Sequence, residues 1–152
     1  MRPTRPVNGP FLHRGHTVTD IKYHFVWVTK YRYPVLTGVV ALRARDIIRE
    51  VCEAREITII KGVVSKDHID VFAACPPQLS PSKIMQWIKG RASRKLQQEF
   101  EVLKKQYWGQ HLWARGYFCA SSGTVTDEMI KAYIEGHTAG ETDPDFTVEV
   151  PE

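Results

Sequence analysis

Ile57-Thr58-Ile59-Ile60-Lys61-Gly62-Val63-Val64-Ser65-Lys66-Asp67-His68-Ile69-Asp70-Val71-Phe72-Ala73-Ala74 reads as two β-rich runs around a short polar turn. Ile57 to Val64 forms one run and His68 to Ala74 the other, and Pro76-Pro77 closes the second, so the stretch predicts a β-hairpin. Alternate residues of a strand point to opposite faces. Ile69, Val71 and Ala73 therefore make one face, the core side, and His68, Asp70 and Phe72 make the other. A His-x-Asp pair alone is ordinarily just a solvated strand face, and Asp67 reads as a turn residue.

Upstream, Thr19 to Thr29 alternates with β-branched and aromatic residues and predicts a first strand, stopped by Pro34. Val39 to Ala54 carries helical periodicity through Val40, Ala44, Ile47, Ile48 and Val51. Downstream, Ser80-Pro81 opens a long helix with a cap followed by proline, extending to Lys105. Gly116 to Ser122 predicts a fourth strand, and Thr126-Asp127 caps a last helix that ends before Gly140. The order strand–helix–strand–strand–helix–strand–helix predicts an α+β protein. Its architecture is a ferredoxin-like (RRM-like) antiparallel sheet backed by helices, with an extra C-terminal helix.

The chain has 152 residues and divides into an N-terminal arm (1–17), a folded body (18–138) and a tail (139–152). The arm combines three prolines and two glycines with Arg2, Arg5 and Arg14, and reads as a mobile basic segment. The tail carries five acids and no Lys or Arg, so the net charge of +4 becomes +9 once the tail is set aside. A body this basic favours a polyanionic partner. No apolar run reaches the roughly 20 residues a membrane helix needs, and the N-terminus has no apolar signal core. Cys52, Cys75 and Cys119 are odd in number and widely spaced, which fits reduced thiols of a cytoplasmic protein.

The last helix contains Tyr133-Ile134-Glu135-Gly136-His137, in which Tyr133 and His137 are one turn apart on one face. Set beside the hairpin, this helix would bring His68, Asp70 and His137 toward a divalent metal and put a phenol within reach of what the metal polarises. Five blocks in order extend the pattern: Trp27-Val28-Thr29-Lys30-Tyr31-Arg32-Tyr33-Pro34-Val35-Leu36, the His68 strand, Lys89-Gly90-Arg91-Ala92-Ser93-Arg94-Lys95-Leu96, Leu112-Trp113-Ala114-Arg115-Gly116-Tyr117-Phe118, and the tyrosine helix. From Val18 to His137 the chain resembles the single-tyrosine transposases of the IS200/IS605 family, within the HUH endonuclease superfamily.

The resemblance implies Tyr133 as the nucleophile and His68, Asp70 and His137 as ligands of Mg²⁺ or Mn²⁺. It departs from the family in two places: Asp70 stands where a second histidine is usual, and His137 where glutamine is common. The set still offers two imidazoles and one oxygen donor, which Mg²⁺ and Mn²⁺ accept. The resemblance further implies a prokaryotic DNA transposase, nucleoid-associated when bound. It would act as a homodimer on single-stranded DNA with hairpin-bearing ends, through a 5′-phosphotyrosine. His24 and His111 read as structural, and His13 and His16 belong to the arm.

Lys83 to Lys105 holds seven basic residues and two acids. Ile84, Ile88, Ala92 and Leu96 step by four as the packed face. Lys83, Lys89, Arg91 and Arg94 on this helix, with Lys30, Tyr31 and Arg32 after the first strand, are the expected DNA contacts, since cations and rings suit single strands. Gly90 suggests close approach of a backbone. Two other functions compete: a decayed or repurposed hairpin DNA or RNA binder on the same fold, and a metal-dependent nuclease that activates water.

Overall fold

The structure, a computed structural model, describes residues 12–14, 17–108, 110–121 and 127–137. Most of the expected arm, Thr126 and the acidic tail lie outside these residues. The elements run β1 Leu12–Arg14, β2 Thr17–Thr19, β3 Lys22–Val28, a 3-10 turn Lys30–Arg32, α1 Gly38–Ala54, β4 Thr58–Ser65, β5 His68–Ala74, α2 Pro81–Glu99, α3 Glu101–Gln106, β6 Phe118–Ser121 and α4 Asp127–Glu135. The result is an α+β fold built on a four-stranded antiparallel sheet of order β4-β5-β3-β6. Among the described residues no helix is long and apolar enough to cross a membrane.

The hairpin forms as its alternation dictates, with Ser65 paired to His68 and Thr58 to Ala74, and one register shift between Ile59 and Lys61. β5 then lies against β3 from Val28↔His68 to Lys22↔Ala74. Cross-strand partners share a face, so the two sides of the sheet sort cleanly. Phe25, Trp27, Ile69, Val71 and Ala73 face α1 and α2, where Ala44, Ile47, Ile84, Ile88, Ala92 and Leu96 complete the main core. Burying each large apolar side chain there contributes about 1.5–3 kcal/mol. Val26 and Val28 face the other way and meet Ile130 and Ile134 of α4 in a second, smaller core.

Three expectations change. β3 is shorter than the predicted Thr19–Thr29, because Thr17–Thr19 pairs with Leu12–Arg14 in a separate small hairpin. The arm is thus partly structured at its end. β3 stops well before Pro34, because Tyr31 (φ 61°) and Arg32 (φ 56°) both enter the left-handed region and roll the chain into the 3-10 turn. The long helix breaks at Phe100, which is extended (φ −124°, ψ 102°) and packs its half-buried ring on the main core before α3 begins. The start of α2 is as predicted: Pro81 is in the first turn and Ser80 Oγ accepts from the Lys83 N–H at 3.2 Å, a cap contributing about 1 kcal/mol.

Candidate active site

His68 and Asp70 leave β5 on the α4 side of the sheet and are buried, 3% and 2% exposed respectively. Each is held by a neighbour. His68 Nδ1 lies 2.8 Å from Asp67 Oδ1. Arg32 Nε donates to Asp67 Oδ2 at 2.8 Å, and an Arg32 Nη1–H reaches the carbonyl oxygen of Ile134 in α4 at 3.3 Å. The Thr29 N–H donates to the Asp67 carbonyl at 2.9 Å, which fixes the turn itself. Burial pushes the Asp67 carboxyl up, but the hydrogen bonds from His68 and Arg32 outweigh it and hold the group below the usual carboxylate range. Asp70 Oδ1 is hydrogen-bonded to Nε2 of His24, on the neighbouring strand.

Tyr133 is half-buried on α4, with its ring 5.8 Å from Phe118 and 4.7 Å, edge-on, from His137. It belongs to the cluster of Val26 and Val28, the cross-strand partners of Asp70 and His68. Burial raises the phenol above its ordinary value, so the phenolate is scarce at neutral pH. His137 is exposed, and its Nδ1 donates to the Tyr133 carbonyl at 3.0 Å.

The donor chemistry of the strand pair suits a hard divalent cation. One carboxylate oxygen and one imidazole, with that imidazole's other nitrogen bonded to a carboxylate, form a familiar ligand arrangement. Among the described residues, however, no three His, Cys, Asp or Glu side chains gather closely enough to hold a metal ion. Two of the three expected donors thus share one strand face. The third, His137, instead lines a groove of about 1350 Å³.

That groove runs between the 3-10 turn, α2, α3 and the segment before β6, and its cations include Lys30, Arg94, Lys104 and Arg115. Tyr31, 62% exposed, stands at its wall with the Lys30 ammonium 5.4 Å from its ring. Tyr31 also meets Tyr33, which meets Tyr107, whose hydroxyl donates to the Lys30 carbonyl at 3.3 Å and braces the turn.

The expected DNA contacts divide accordingly. Lys30, Tyr31 and Arg94 face the groove, while Lys83 and Arg91 are exposed on α2 outside it. Arg32 turns inward, 6% exposed, and is occupied within the protein. Lys89 is also engaged: its ammonium donates to the carbonyls of Ala114 and Gly116 at 3.0 and 2.8 Å, and burial lowers its pKa. Gly90 lies on the groove wall with nothing within 4 Å of where a Cβ would stand, so among the described residues no backbone beyond its own helix approaches it.

Sequence reasoning did not single out Lys104 and Arg115, which line the groove, or His24 and Asp67 as partners of the strand pair. Arg115 was visible inside a quoted block. The contact of His24 with Asp70 emerges only from strand pairing.

A profile of the family described as "Transposase IS200 like" matches residues 17–137. The transposase for insertion sequence element IS200 of Salmonella typhimurium is 33% identical over 130 residues, covering 84% of this chain and 86% of that protein. The ISDra2 transposase TnpA of Deinococcus radiodurans is 31% identical over 122 residues, covering 80% and 86%. The crystal structure of a putative transposase from Deinococcus radiodurans superposes with a TM-score of 0.76 at 29% identity, over 84% of this chain and 98% of that one. A REP-associated tyrosine transposase bound to a REP hairpin shares the fold with a TM-score of 0.53 at 16% identity, over 82% and 73%.

Proposed function

Because this chain belongs to the IS200-like transposase family, we propose that it cleaves and rejoins single-stranded DNA at hairpin-bearing ends through Tyr133, with Mg²⁺ or Mn²⁺. The observation that carries this reading is the packing of Tyr133 against Val26 and Val28, whose strand partners are Asp70 and His68. The strand order, with α1 and α2 as crossovers, supports a ferredoxin-like scaffold to which α4 adds the nucleophile.

In the proposed reaction the phenolic oxygen of Tyr133 attacks the scissile phosphorus. The P–O3′ bond breaks, the 5′-phosphate becomes a phosphotyrosine ester, and the 3′ oxygen leaves as a hydroxyl with the proton the phenol gives up. The ester conserves the bond, so attack by another 3′-OH reverses the step and joins strands without a nucleotide cofactor. His68 and Asp70, with His137 as third donor in the assembled complex, would hold the divalent cation, which would supply Lewis acidity at the phosphate when bound. Help of that kind is needed because burial keeps Tyr133 protonated. Lys30, Arg94, Lys104 and Arg115 meet the backbone of the strand in the groove, and Tyr31 offers a ring to an unpaired base. The working unit is a homodimer, acting in a prokaryotic cytoplasm and at the nucleoid when bound.

The hydrogen bond between His24 and Asp70 favours a second reading, a repurposed hairpin binder in which Asp70 serves the fold. A denaturing-gel assay decides between them. Hairpin-bearing strands from the DNA flanking the gene, labelled at 5′ or 3′, are incubated with Mg²⁺, Mn²⁺ or EDTA and with wild type or Tyr133→Phe. A metal-dependent covalent protein–DNA band lost in Tyr133→Phe supports the transposase. Salt-dependent binding with no covalent product supports the binder.

A further inference from the structure

We infer that Asp67 and Arg32 are positioning residues, a single bracket that sets the tautomer of His68 and ties the last turn of the tyrosine helix to the same carboxylate. The inference rests on the reading of His68 as a metal donor. Its physical content is testable apart from that reading.

The three side chains meet below the surface, with Asp67 only 4% exposed between Arg32 and His68. Burying charged groups is costly unless they are paired and hydrogen-bonded, and here the pairing is complete. An ionised carboxylate only accepts, and a guanidinium only donates. Asp67 Oδ2 takes the Arg32 Nε–H, and Asp67 Oδ1 faces His68 Nδ1. The proton of a neutral His68 must then sit on Nδ1, which leaves the lone pair on Nε2. That is the tautomer able to ligate from Nε2.

The same guanidinium uses a second nitrogen on the carbonyl of Ile134, the residue after Tyr133. A cation there also complements the C-terminal end of α4. The chain goes to some length to place Arg32. It and Tyr31 both adopt left-handed backbone without being glycine, a strain that persists only where surroundings enforce it. Thr29 secures the other side, its N–H donating to the Asp67 carbonyl at 2.9 Å and its hydroxyl to the Tyr33 carbonyl at 2.8 Å, across the turn that carries Arg32. One carboxylate thereby orients the histidine of the strand and anchors the helix of the nucleophile.

Asp67→Asn separates this from a merely structural role, because the shape is kept and the donor pattern is not. Arg32 can only donate, so the amide oxygen of Asn must face it and the amide N–H must face His68. His68 Nδ1 then becomes an acceptor and the ring proton moves to Nε2. Long-range ¹H–¹⁵N spectra of the metal-free protein read the tautomer directly, and titration with Mn²⁺ alone reads the consequence. The expected result is Nδ1–H in wild type and Nε2–H in Asp67→Asn, with Mn²⁺ bound 10- to 100-fold more weakly by the variant.

Arg32→Lys should keep the wild-type tautomer but expose the amides at the end of α4 to faster exchange. A wild-type His68 protonated at Nε2 overturns the inference without recourse to any variant, and so does an unchanged tautomer in Asp67→Asn. Failure of wild type to bind Mn²⁺, with the tautomer moving as described, overturns the metal reading of His68 and leaves the bracket standing.

Discussion

Ile134→Ala should undock the tyrosine helix without unfolding the sheet. α4 has nine residues, Asp127–Glu135, and a free helix so short has marginal stability in water. Beyond the Arg32 hydrogen bond to the Ile134 carbonyl, its order comes from the second core, where Ile130 and Ile134, the latter 1% exposed, sit on Val26 and Val28. Burying two isoleucines contributes about 3–6 kcal/mol as an upper figure, and cutting one to alanine costs about 2–5 kcal/mol. The loss is comparable with what the two isoleucines together contribute to docking α4. At about 1.4 kcal/mol per tenfold, amides in residues 131–135 should exchange between roughly 30-fold and a few thousand-fold faster.

The amides of Ile69 and Val71 should change by no more than a few fold, since β5 keeps its ladders to β3 and β4 and its cover from α1 and α2. Native-state hydrogen exchange followed by mass spectrometry or NMR measures both regions in one experiment. Equal acceleration of α4 and β5 would refute the division into two cores. No acceleration in α4 would refute the claim that Ile134 is what holds it.

Lys89→Met should cost about 2 kcal/mol in urea unfolding, because two carbonyls lose a charged donor. Lys83→Met, on an exposed position of α2, should stay within about 0.5 kcal/mol. Tyr31→Ala should weaken binding of an unpaired oligonucleotide by about 1–3 kcal/mol, read by fluorescence anisotropy, while Tyr31→Phe binds as wild type. The lowered Asp67 carboxyl stabilises the fold at pH values above the ordinary carboxylate range, and that contribution is lost as pH falls through its depressed native value. The difference in unfolding free energy between wild type and Asp67→Asn should therefore be large in urea melts at pH 7 and should shrink below about pH 4.

How much of this was legible in the sequence depends on whether a feature is periodic. β5 begins at His68 and ends at Ala74 as read, because alternation and Pro76-Pro77 bound it. The face of α2 stepping through Ile84, Ile88, Ala92 and Leu96 is buried as its period requires. The five ordered blocks pointed to the family that the profile match then showed. What escaped was aperiodic or tertiary. A left-handed step at Tyr31 and Arg32 has no glycine to announce it, and the break at Phe100 follows from where a ring finds the core. Lys89 and Arg32 looked like free cations because nothing local reveals the carbonyls and carboxylate waiting for them. His24 meets Asp70 across 46 positions of chain, a distance that only sheet pairing closes.

The left-handed step has a consequence for how this chain can vary. One peptide unit sends the ring of Tyr31 outward and the guanidinium of Arg32 inward, so adjacent codons answer to different masters. Position 31 faces solvent at the groove wall and is free to drift with whatever the groove receives; position 32 is answerable to the buried turn. They cannot drift independently, because they share the backbone that separates them. Valine, isoleucine or threonine at 31 would fight the positive φ, and a glycine would ease it while loosening the aim of Arg32. A saturation library at position 31 should thus sort by backbone tolerance as much as by ring chemistry. Asparagine would survive as a fold, aromatic residues would survive as a binder, and β-branched residues would survive as neither.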